Sequence, residues 1–237
     1  MIKVSELKFA YSREFELAVE SLEIEEGEKV AIVGPSGSGK TTLLNLLAGI
    51  LTPQSGVIQI GKTEVSGLSD AQRRLFRLQN LGLVFQEFEL VEYLTTLDNI
   101  LLPFRLHNAM RLDPSVKQRA IELTQRLEVG DKLHRLPARL SQGERQRVAI
   151  CRALINTPKY LFTDEPTGNL DPINKMRVLD LLMDVVKSDR HTLVTVTHDH
   201  DLLKQFDRVI DFESFFRTTP PNLSLIHISE PTRQVLI

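Results

Sequence analysis

The sequence predicts an α/β domain built on a largely parallel β-sheet that carries helices on both faces and a helical insertion. Two observations lead to this prediction. Short apolar runs of strand length alternate with segments of helical periodicity, and parallel neighbours need such crossover helices. From roughly residue 95 to residue 156 the periodicity is helical throughout. A chain of 237 residues is long enough for one large α/β domain or two small ones.

The first third of the chain is predicted to be mostly strand. Apolar and polar residues alternate in "MIKVSELKFAY" and in "FELAVESLEIEEGE", and "KVAIVG" is a short apolar run that stops at glycine. The next segment, "GKTTLLNLLAGI", has the apolar spacing of a buried helix that ends at Gly49. Strand is predicted again for "GVIQIGKTEV" and for "NLGLVFQ".

The second half of the chain alternates helices and apolar strands. "DPSVKQRAIELTQRLEV" is predicted to be a helix with Asp113 as its N-cap and Pro114 at its first position. In "LSQGERQRVAI" a Ser-x-Gly turn opens a further helix, which is a common way to offer backbone N–H groups to an anion. Three buried strands follow in "KYLFTDE", "HTLVTVTH" and "DRVIDF". We find no internal repeat and no flexible linker.

Composition and charge exclude several classes of protein. Lys and Arg number 29 against 31 Asp and Glu, so the chain lacks the basic footprint of a nucleic-acid-binding protein. The single cysteine, Cys151, excludes an internal disulfide and fits a reducing compartment, where we expect it to be a buried packing residue. The sequence has no secretion signal and no apolar run near the ~18 residues of a transmembrane helix. We therefore expect a soluble protein that reaches a membrane only through a partner.

The C-terminal segment differs from the rest of the chain. "RTTPPNLSLIHISEPTRQVLI" has no periodicity and contains three prolines, and residues 223–233 resemble the translation of a sequencing-library adapter. We predict one domain over residues 1–222 and a non-native tail over residues 223–237, whose removal should not affect stability.

A phosphate-binding loop is the most specific local motif. "GPSGSGKTT" matches G-x-x-x-x-G-K-[ST] and lies between an apolar strand and a helix, as that motif requires. Its backbone N–H groups would face phosphates, Lys40 would reach the β and γ oxygens, and the Thr41 hydroxyl would bind Mg²⁺. The ligand is ATP or GTP. The predicted binding residues are Gly34, Pro35, Ser36, Gly37, Ser38, Gly39, Lys40, Thr41 and Thr42.

The strand "KYLFTDE" supplies the acidic half of the same site. Asp164 stands at the carboxyl end of the strand, where it can hold Mg²⁺ through water. Glu165 follows and can polarise an attacking water. A DE pair after a strand is commonly a solvated turn, but the lysine loop in the same chain favours a catalytic pair.

Four further segments complete a resemblance to the ATP-binding-cassette (ABC) ATPases over residues 1 to about 215. After the lysine loop come "VFQ" (84–86), "LSQGE" (140–144), "TDEPTGNLD" (163–171) and "VTHD" (196–199). The resemblance implies a P-loop NTPase (RecA-like) core with an antiparallel β subdomain and an inserted α-helical subdomain at approximately 87–156. It also implies ATP and Mg²⁺ as ligands.

The resemblance assigns further roles. Tyr11 would stack on adenine, Gln86 would sense Mg²⁺ and the attacking water, and His198 would contact the γ-phosphate. From the residues alone, Tyr11 could equally be core and Gln86 a turn residue. Two copies would pack head to tail, so that the turn of one copy closes over the ATP of the other. The interface residues would be Ser141, Gly143, Glu144 and Asp171, with Gln142 standing where glycine is usual.

The branch of the family is indicated by two segments. "TDEPTGNLD" and "FQEFELVEYLTTLDNILLPFRL" resemble ATPases of the lipoprotein-releasing, macrolide-export and cell-division type, which drive a separate membrane permease by mechanical transmission. The protein would then be cytoplasmic and bound to the inner face of the membrane through the permease. Amino-acid importers share many of these features. We expect the permease to dock near some of Phe88, Leu90, Val91, Tyr93, Leu94, Ile100 and Leu101, others of which must be core.

Two other classes of function fit this sequence less well. Non-transport ABC proteins that act on DNA or ribosomes carry a long coiled coil or two tandem cassettes and usually basic surfaces. This chain has one cassette, no heptad run and a net charge of −2. A regulatory module that binds ATP without hydrolysing it would not need Glu165, Gln86 and His198, all of which are present.

Overall fold

The computed structural model describes residues 1–12, 15–107, 109–168 and 170–215. The predicted tail, 223–237, and the end of the predicted domain, 216–222, lie outside the described residues. The predicted extents of the domain and of its helical subdomain therefore stay predictions.

A five-stranded parallel sheet forms the centre of the molecule. Its order is β6 (Leu81–Val84), β7 (Tyr160–Asp164), β8 (Thr192–Thr197), β3 (Lys29–Val33) and β9 (Arg208–Asp211). Every residue of β7 and β8 is buried, which explains why both read as apolar runs rather than as alternating patterns. Because all neighbours are parallel, the carboxyl ends of the strands meet at one edge. The predicted phosphate loop and the predicted acidic pair both leave the sheet at that edge.

A second, antiparallel sheet has the order β2 (Phe15–Ile24), β1 (Ile2–Ser12), β4 (Ser55–Ile60) and β5 (Thr63–Glu64), which confirms the antiparallel β subdomain. The segment "GVIQIGKTEV" is strand, as predicted, but it contains a turn that was not predicted. A two-residue turn at Gly61, whose φ is 60°, folds this segment into the hairpin of β4 and β5. At Gly56 a Cβ atom would lie 2.4 Å from the Glu6 carbonyl oxygen, so only glycine fits where β4 meets the irregular part of β1.

Seven α-helices occur in the described part of the chain. They are α1 (Lys40–Leu47), α2 (Asp70–Asn80), α3 (Thr96–Leu101), α4 (Pro103–Leu106), α5 (Pro114–Arg126), α6 (Gln142–Leu154) and α7 (Pro172–Asp189). The Asp113 carboxylate accepts hydrogen bonds from the first turn of α5, which confirms the predicted cap. The helix α2 was not predicted from the sequence, because Phe76 is its one buried residue and gives no apolar periodicity. Ser69 and Gln72 nevertheless form a capping box at its start.

Both faces of the parallel sheet are covered. Along β3, Val30 and Ile32 face one core with the antiparallel sheet and α1, whereas Ala31 faces a second core with α3 and α5–α7. Cys151 lies fully buried in the second core, as predicted, and burial raises the pKa of its thiol. No helix in the described residues is long and apolar enough to cross a membrane.

Candidate nucleotide-binding and hydrolysis site

The loop between β3 and α1 depends on glycine. Gly37 and Gly39 have φ angles of 78° and 108°, in the left-handed region that favours glycine. A Cβ atom on Gly39 would lie 2.7 Å from Cζ of Phe15, so the loop is also closely packed. Gly39 is the N-cap of α1 and gives no side-chain cap. The first N–H groups of the helix are therefore left to an anion.

The Lys40 ammonium and the Ser38 hydroxyl both point to an anionic ligand. Lys40 is 6% exposed, and its Nζ donates to the carbonyl oxygens of Gly34 and Pro35 at 2.8 Å each. It forms no salt bridge in the part of the chain that the structure describes. Ser38 Oγ is buried and has no hydrogen-bond partner among the described residues. A buried cation and an orphaned hydroxyl in a loop of N–H donors fit the phosphates of a nucleotide.

Asp164 ends β7 beside this loop and is 7% exposed. Burial raises the pKa of its carboxyl, and the nearby Glu165 charge acts in the same direction. A hydrogen bond with the Thr41 hydroxyl and the charge of Lys40 oppose this shift. A buried carboxylate next to a hydroxyl and a phosphate cradle is a donor set that suits Mg²⁺.

Glu165 is held in a fixed position immediately after β7. Its φ is 45°, and its N–H donates to the Val196 carbonyl oxygen of β8 at 2.9 Å. Its Oε1 lies 2.7 Å from Nδ1 of His198, and its Oε2 accepts a hydrogen bond from Thr197 Oγ1 at 3.2 Å. The predicted pair of Glu165 and His198 therefore meets across the ends of two neighbouring strands.

Gln86 reaches the same edge of the sheet from β6. A Cβ atom on Gly168 would lie 3.8 Å from Gln86 Nε2 and 3.5 Å from Cβ of Glu165. The Gln86 amide is thus close to the turn that follows Glu165. The three residues predicted to be catalytic come together although they lie on separate segments of the chain.

Tyr11 is 61% exposed at the end of β1, which makes it a surface residue rather than core. Its ring packs edge-on against Phe9, with centroids 4.8 Å apart, and at a tilt against Phe15 at 5.7 Å. Phe15 also packs against the Gly39 position. The exposed ring therefore stands next to the phosphate loop.

The turn at 140–144 belongs to another surface. Ser141 caps α6 in a capping box, because its Oγ accepts from the Glu144 N–H at 3.2 Å and its N–H donates to Glu144 Oε2 at 2.7 Å. A Cβ atom on Gly143 would lie 3.5 Å from Asn174 Oδ1, in the first turn of α7, whose N-cap is Asp171. No hydrogen bond or salt bridge joins residues 140–144 to the loop 34–40 in the described ranges. The turn and Asp171 thus lie together.

Sequence analysis did not identify Thr197, which ends β8 and touches Glu165 through its hydroxyl. Its place directly before His198 was the available signal.

Of the apolar residues predicted near the docking surface, Ile100 and Leu101 are core, at 0% and 1% exposed. Tyr93 is 83% exposed. Phe88, Leu90, Val91 and Leu94 are half-buried.

Comparison with known proteins gives consistent relatives. The family model described as ABC transporter matches residues 17–168. The lipoprotein-releasing system ATP-binding protein LolD of Pseudomonas syringae pv. tomato is 44% identical over 192 residues, which is 81% of this chain and 84% of that protein. The macrolide export ATP-binding/permease protein MacB of Rhodopirellula baltica is 43% identical over 80% of this chain, but this covers 28% of that protein.

Solved structures agree with these relatives. The dimeric structure of MJ0796, a bacterial ABC transporter cassette, has a TM-score of 0.80 and 34% identity, and the match covers 89% of this chain and 94% of that one. A dimeric post-hydrolysis state of the same cassette, bound to ADP and Pi, matches with the same values.

Proposed function

The chain belongs to the ABC transporter family, and from this premise we propose that it hydrolyses ATP to power a separate membrane permease of the export type. One observation carries the hydrolytic part. The Glu165 carboxylate, bonded to His198 and Thr197, lies at the sheet edge that also holds Lys40 and Asp164. A buried cation, an oriented carboxylate and a second acid at one edge suit transfer of a phosphoryl group to water.

Each residue of this edge has a proposed task. Lys40 would exchange its two carbonyl partners for the β- and γ-phosphates, while the N–H groups of the loop bind the phosphate oxygens. Glu165 would accept a proton from the attacking water, and His198 would bridge Glu165 and the γ-phosphate. Tyr11 would stack on the adenine ring, and Gln86 would report the state of the γ-phosphate to the helical insertion.

We propose Mg²⁺ as the metal that accompanies ATP. The Thr41 hydroxyl and the Asp164 carboxylate would hold it, and the Gln86 side chain would be a further ligand. When bound, Mg²⁺ would neutralise charge on the β- and γ-phosphates. Burial raises the pKa of Asp164 by more than the Thr41 hydroxyl and the Lys40 charge lower it, and a metal ion bound to the carboxylate would offset this cost of burial.

We propose that two copies bind two ATP molecules between them. Gly143 adjoins the start of α7, and in the described residues Ser141, Gly143 and Glu144 form no hydrogen bond or ion pair with this chain's own loop 34–40. Ser141, Gln142 and Asp171 are exposed at this surface, whereas Gly143 is buried between them. They would face the ATP that the other copy binds, and the related cassette is dimeric.

We propose that the permease docks in a groove beside the segment that follows Gln86. The groove is a cavity of about 680 Å³ between α2, β6 and α4. Phe85 and Glu89 line it, whereas none of the seven apolar residues that were predicted from sequence does. Its larger apolar lining residues are Leu78, Leu81, Leu83, Phe85, Leu102, Pro103 and Leu106. Docking there would place the protein at the cytoplasmic face of the membrane.

The test of the proposed function is Glu165→Gln in the purified protein. The variant keeps the phosphate cradle, so we expect ATP binding close to that of the wild type and a loss of turnover of about a hundredfold or more. Glu122→Gln, an exposed glutamate on α5, is the matched control and should hydrolyse ATP normally. Turnover by Glu165→Gln within a few-fold of wild type would exclude Glu165 as the general base.

A further inference from the structure

The Thr197 hydroxyl donates a hydrogen bond to the Glu165 carboxylate from a buried position. Thr197 is 1% exposed, and its Oγ1 lies 3.2 Å from Glu165 Oε2. The opposite oxygen, Oε1, is bonded to His198, whose side chain is 60% exposed. The catalytic carboxylate is therefore held between a solvent-facing ring and a buried hydroxyl.

The direction of the Thr197 hydroxyl proton follows from its second partner. The Asp199 N–H donates to Thr197 Oγ1 at 3.0 Å. A hydroxyl has a single proton, and a carboxylate can only accept. With one lone pair occupied by Asp199, the hydroxyl proton is directed to Glu165 Oε2.

The turn that supplies the Asp199 N–H is itself fixed. The Asp199 carboxylate accepts from the Asp201 N–H at 3.0 Å and forms an ion pair with Lys175 of α7. The side chains of Lys175 and Asp199 are 23% and 15% exposed. This arrangement holds the backbone after β8 against α7, so the Thr197 oxygen has little freedom to move away from Glu165.

Thr197 and His198 differ in what ATP would do to them. In the proposed function the exposed His198 ring bridges Glu165 and the γ-phosphate, so its contact with Glu165 Oε1 would change when the γ-phosphate binds or leaves. Thr197 has a β-branched side chain in a buried strand end, and χ1 of such residues is restricted. Its bond to Oε2 would persist in every nucleotide state and keep the carboxylate aimed at the attacking water.

We propose that Thr197 is a positioning residue for hydrolysis, which acts on the attacking water through Glu165. This inference rests on the proposed role of Glu165 as general base. Thr197 touches no phosphate in this proposal, so it should affect the rate of the chemical step and leave ATP affinity unchanged.

The experiment compares Thr197→Val with Thr197→Ser in the full chain with Mg²⁺ and ATP. Valine keeps the β-branched shape without the hydroxyl, and serine keeps the hydroxyl. We expect Thr197→Val to lower kcat about ten- to hundredfold with KM changed less than about threefold. Thr197→Ser should restore kcat to within about threefold of the wild-type value.

A Glu165→Gln background separates positioning from a structural role. If Thr197 acts through the carboxylate, Thr197→Val should change the residual turnover of Glu165→Gln by less than about twofold. A tenfold further loss in that background, or equal losses with valine and serine, would overturn the inference. ATP binding by each variant checks its fold, and Thr197→Ala gives the same comparison if the valine variant fails to bind.

The two proposals fail in different ways. Normal kcat in Thr197→Val together with an inactive Glu165→Gln would overturn the role of Thr197 and leave the proposed function intact. No ATP hydrolysis by the wild-type protein, with ATP still bound, would overturn both.

Discussion

At the residue scale, Lys40 combines burial with partners that carry no charge. Its ammonium is bonded to two backbone carbonyls, and a triphosphate would offer it full negative charges instead. We predict that Lys40→Ala lowers ATP affinity at least about a hundredfold, because no other side chain in the loop is cationic. Equilibrium binding of a fluorescent ATP analogue measures this. Lys62→Ala removes an exposed lysine and should bind ATP normally.

His191 predicts how stability depends on pH. The ring is 5% exposed, and its Nδ1 lies 2.5 Å from the Pro158 carbonyl oxygen. Burial lowers the pKa of His191, although that carbonyl and Asp189 oppose the shift. Just below the ordinary pKa near 6.5, the histidine is protonated in the unfolded chain but still neutral in the folded protein. The free energy of unfolding should therefore fall as the pH is lowered through 6.5 towards the folded-state pKa.

Urea unfolding on both sides of this pH window measures the effect. His191→Gln removes the titrating ring, so its free energy of unfolding should depend less on pH than that of the wild type. His134→Gln changes an exposed histidine and should keep the wild-type dependence. An unchanged dependence in His191→Gln would show that other groups cause it.

At the scale of elements, α6 joins two surfaces of the molecule. Ser141 caps its first turn, and Arg152 lies in its last turn, roughly 16 Å further along the axis. The Arg152 guanidinium donates to the carbonyl oxygens of Phe88 and Glu89. Both residues have left-handed φ angles, 61° and 48°, which are strained for residues other than glycine. One helix therefore connects the turn that we propose to face the second ATP with the segment that follows Gln86.

The groove beside that segment gives a prediction for the permease. Leu106 ends α4, lines the groove and is 66% exposed. A charge there would disfavour burial against an apolar partner helix, so Leu106→Asp should lose permease binding about tenfold or more. ATP hydrolysis by the free subunit should stay at the wild-type level. Co-purification with the permease in detergent is the measurement.

Leu112→Asp is the matched control, because Leu112 is also an exposed leucine and does not line the groove. Equal loss of permease binding in both variants would show that a new acid at an exposed leucine weakens binding whether or not the residue lines the groove. Loss in neither would place the docking surface elsewhere, with the exposed Tyr93 as the next position to test.

At the scale of the whole molecule, the composite site predicts complementation between two inactive variants. A Lys40→Ala dimer has no intact phosphate loop. A Ser141→Arg dimer should be unable to close either turn over ATP, because the arginine side chain is too large. In a mixed dimer one site carries both lesions, whereas the other pairs an intact loop with an intact turn. Mixing the variants in a Glu165→Gln background should therefore restore about one occluded ATP per heterodimer, in a site where aligned N–H donors are shielded from water.

Retention of labelled ATP after rapid gel filtration measures occlusion directly. Hydrolysis is a poorer measure here, since turnover could require both sites. Dimers of each variant alone should retain no ATP. If confirmed heterodimers also retain none, the 140–144 turn does not close over the ATP of the other copy.

The sequence by itself determined the local parts of this protein. The phosphate loop, the Asp113 cap and the acidic pair after β7 depend on neighbours a few residues away, so their spacing in the chain is sufficient to predict them. The family resemblance supplied Gln86, His198 and the turn at Ser141. The same local rules failed where pattern was weak, as in the charged helix α2 and the hairpin hidden in "GVIQIGKTEV".

Only the tertiary structure decided which of these parts meet. Thr197 lies 32 residues from Glu165 in the chain, and the two touch because β7 and β8 pair in parallel with their ends in register. The groove beside Phe85 likewise forms from α2, β6 and α4 together. Strand pairing is chosen by the burial of both faces of the sheet at once. That choice depends on contacts between distant segments, which no local spacing in the sequence specifies.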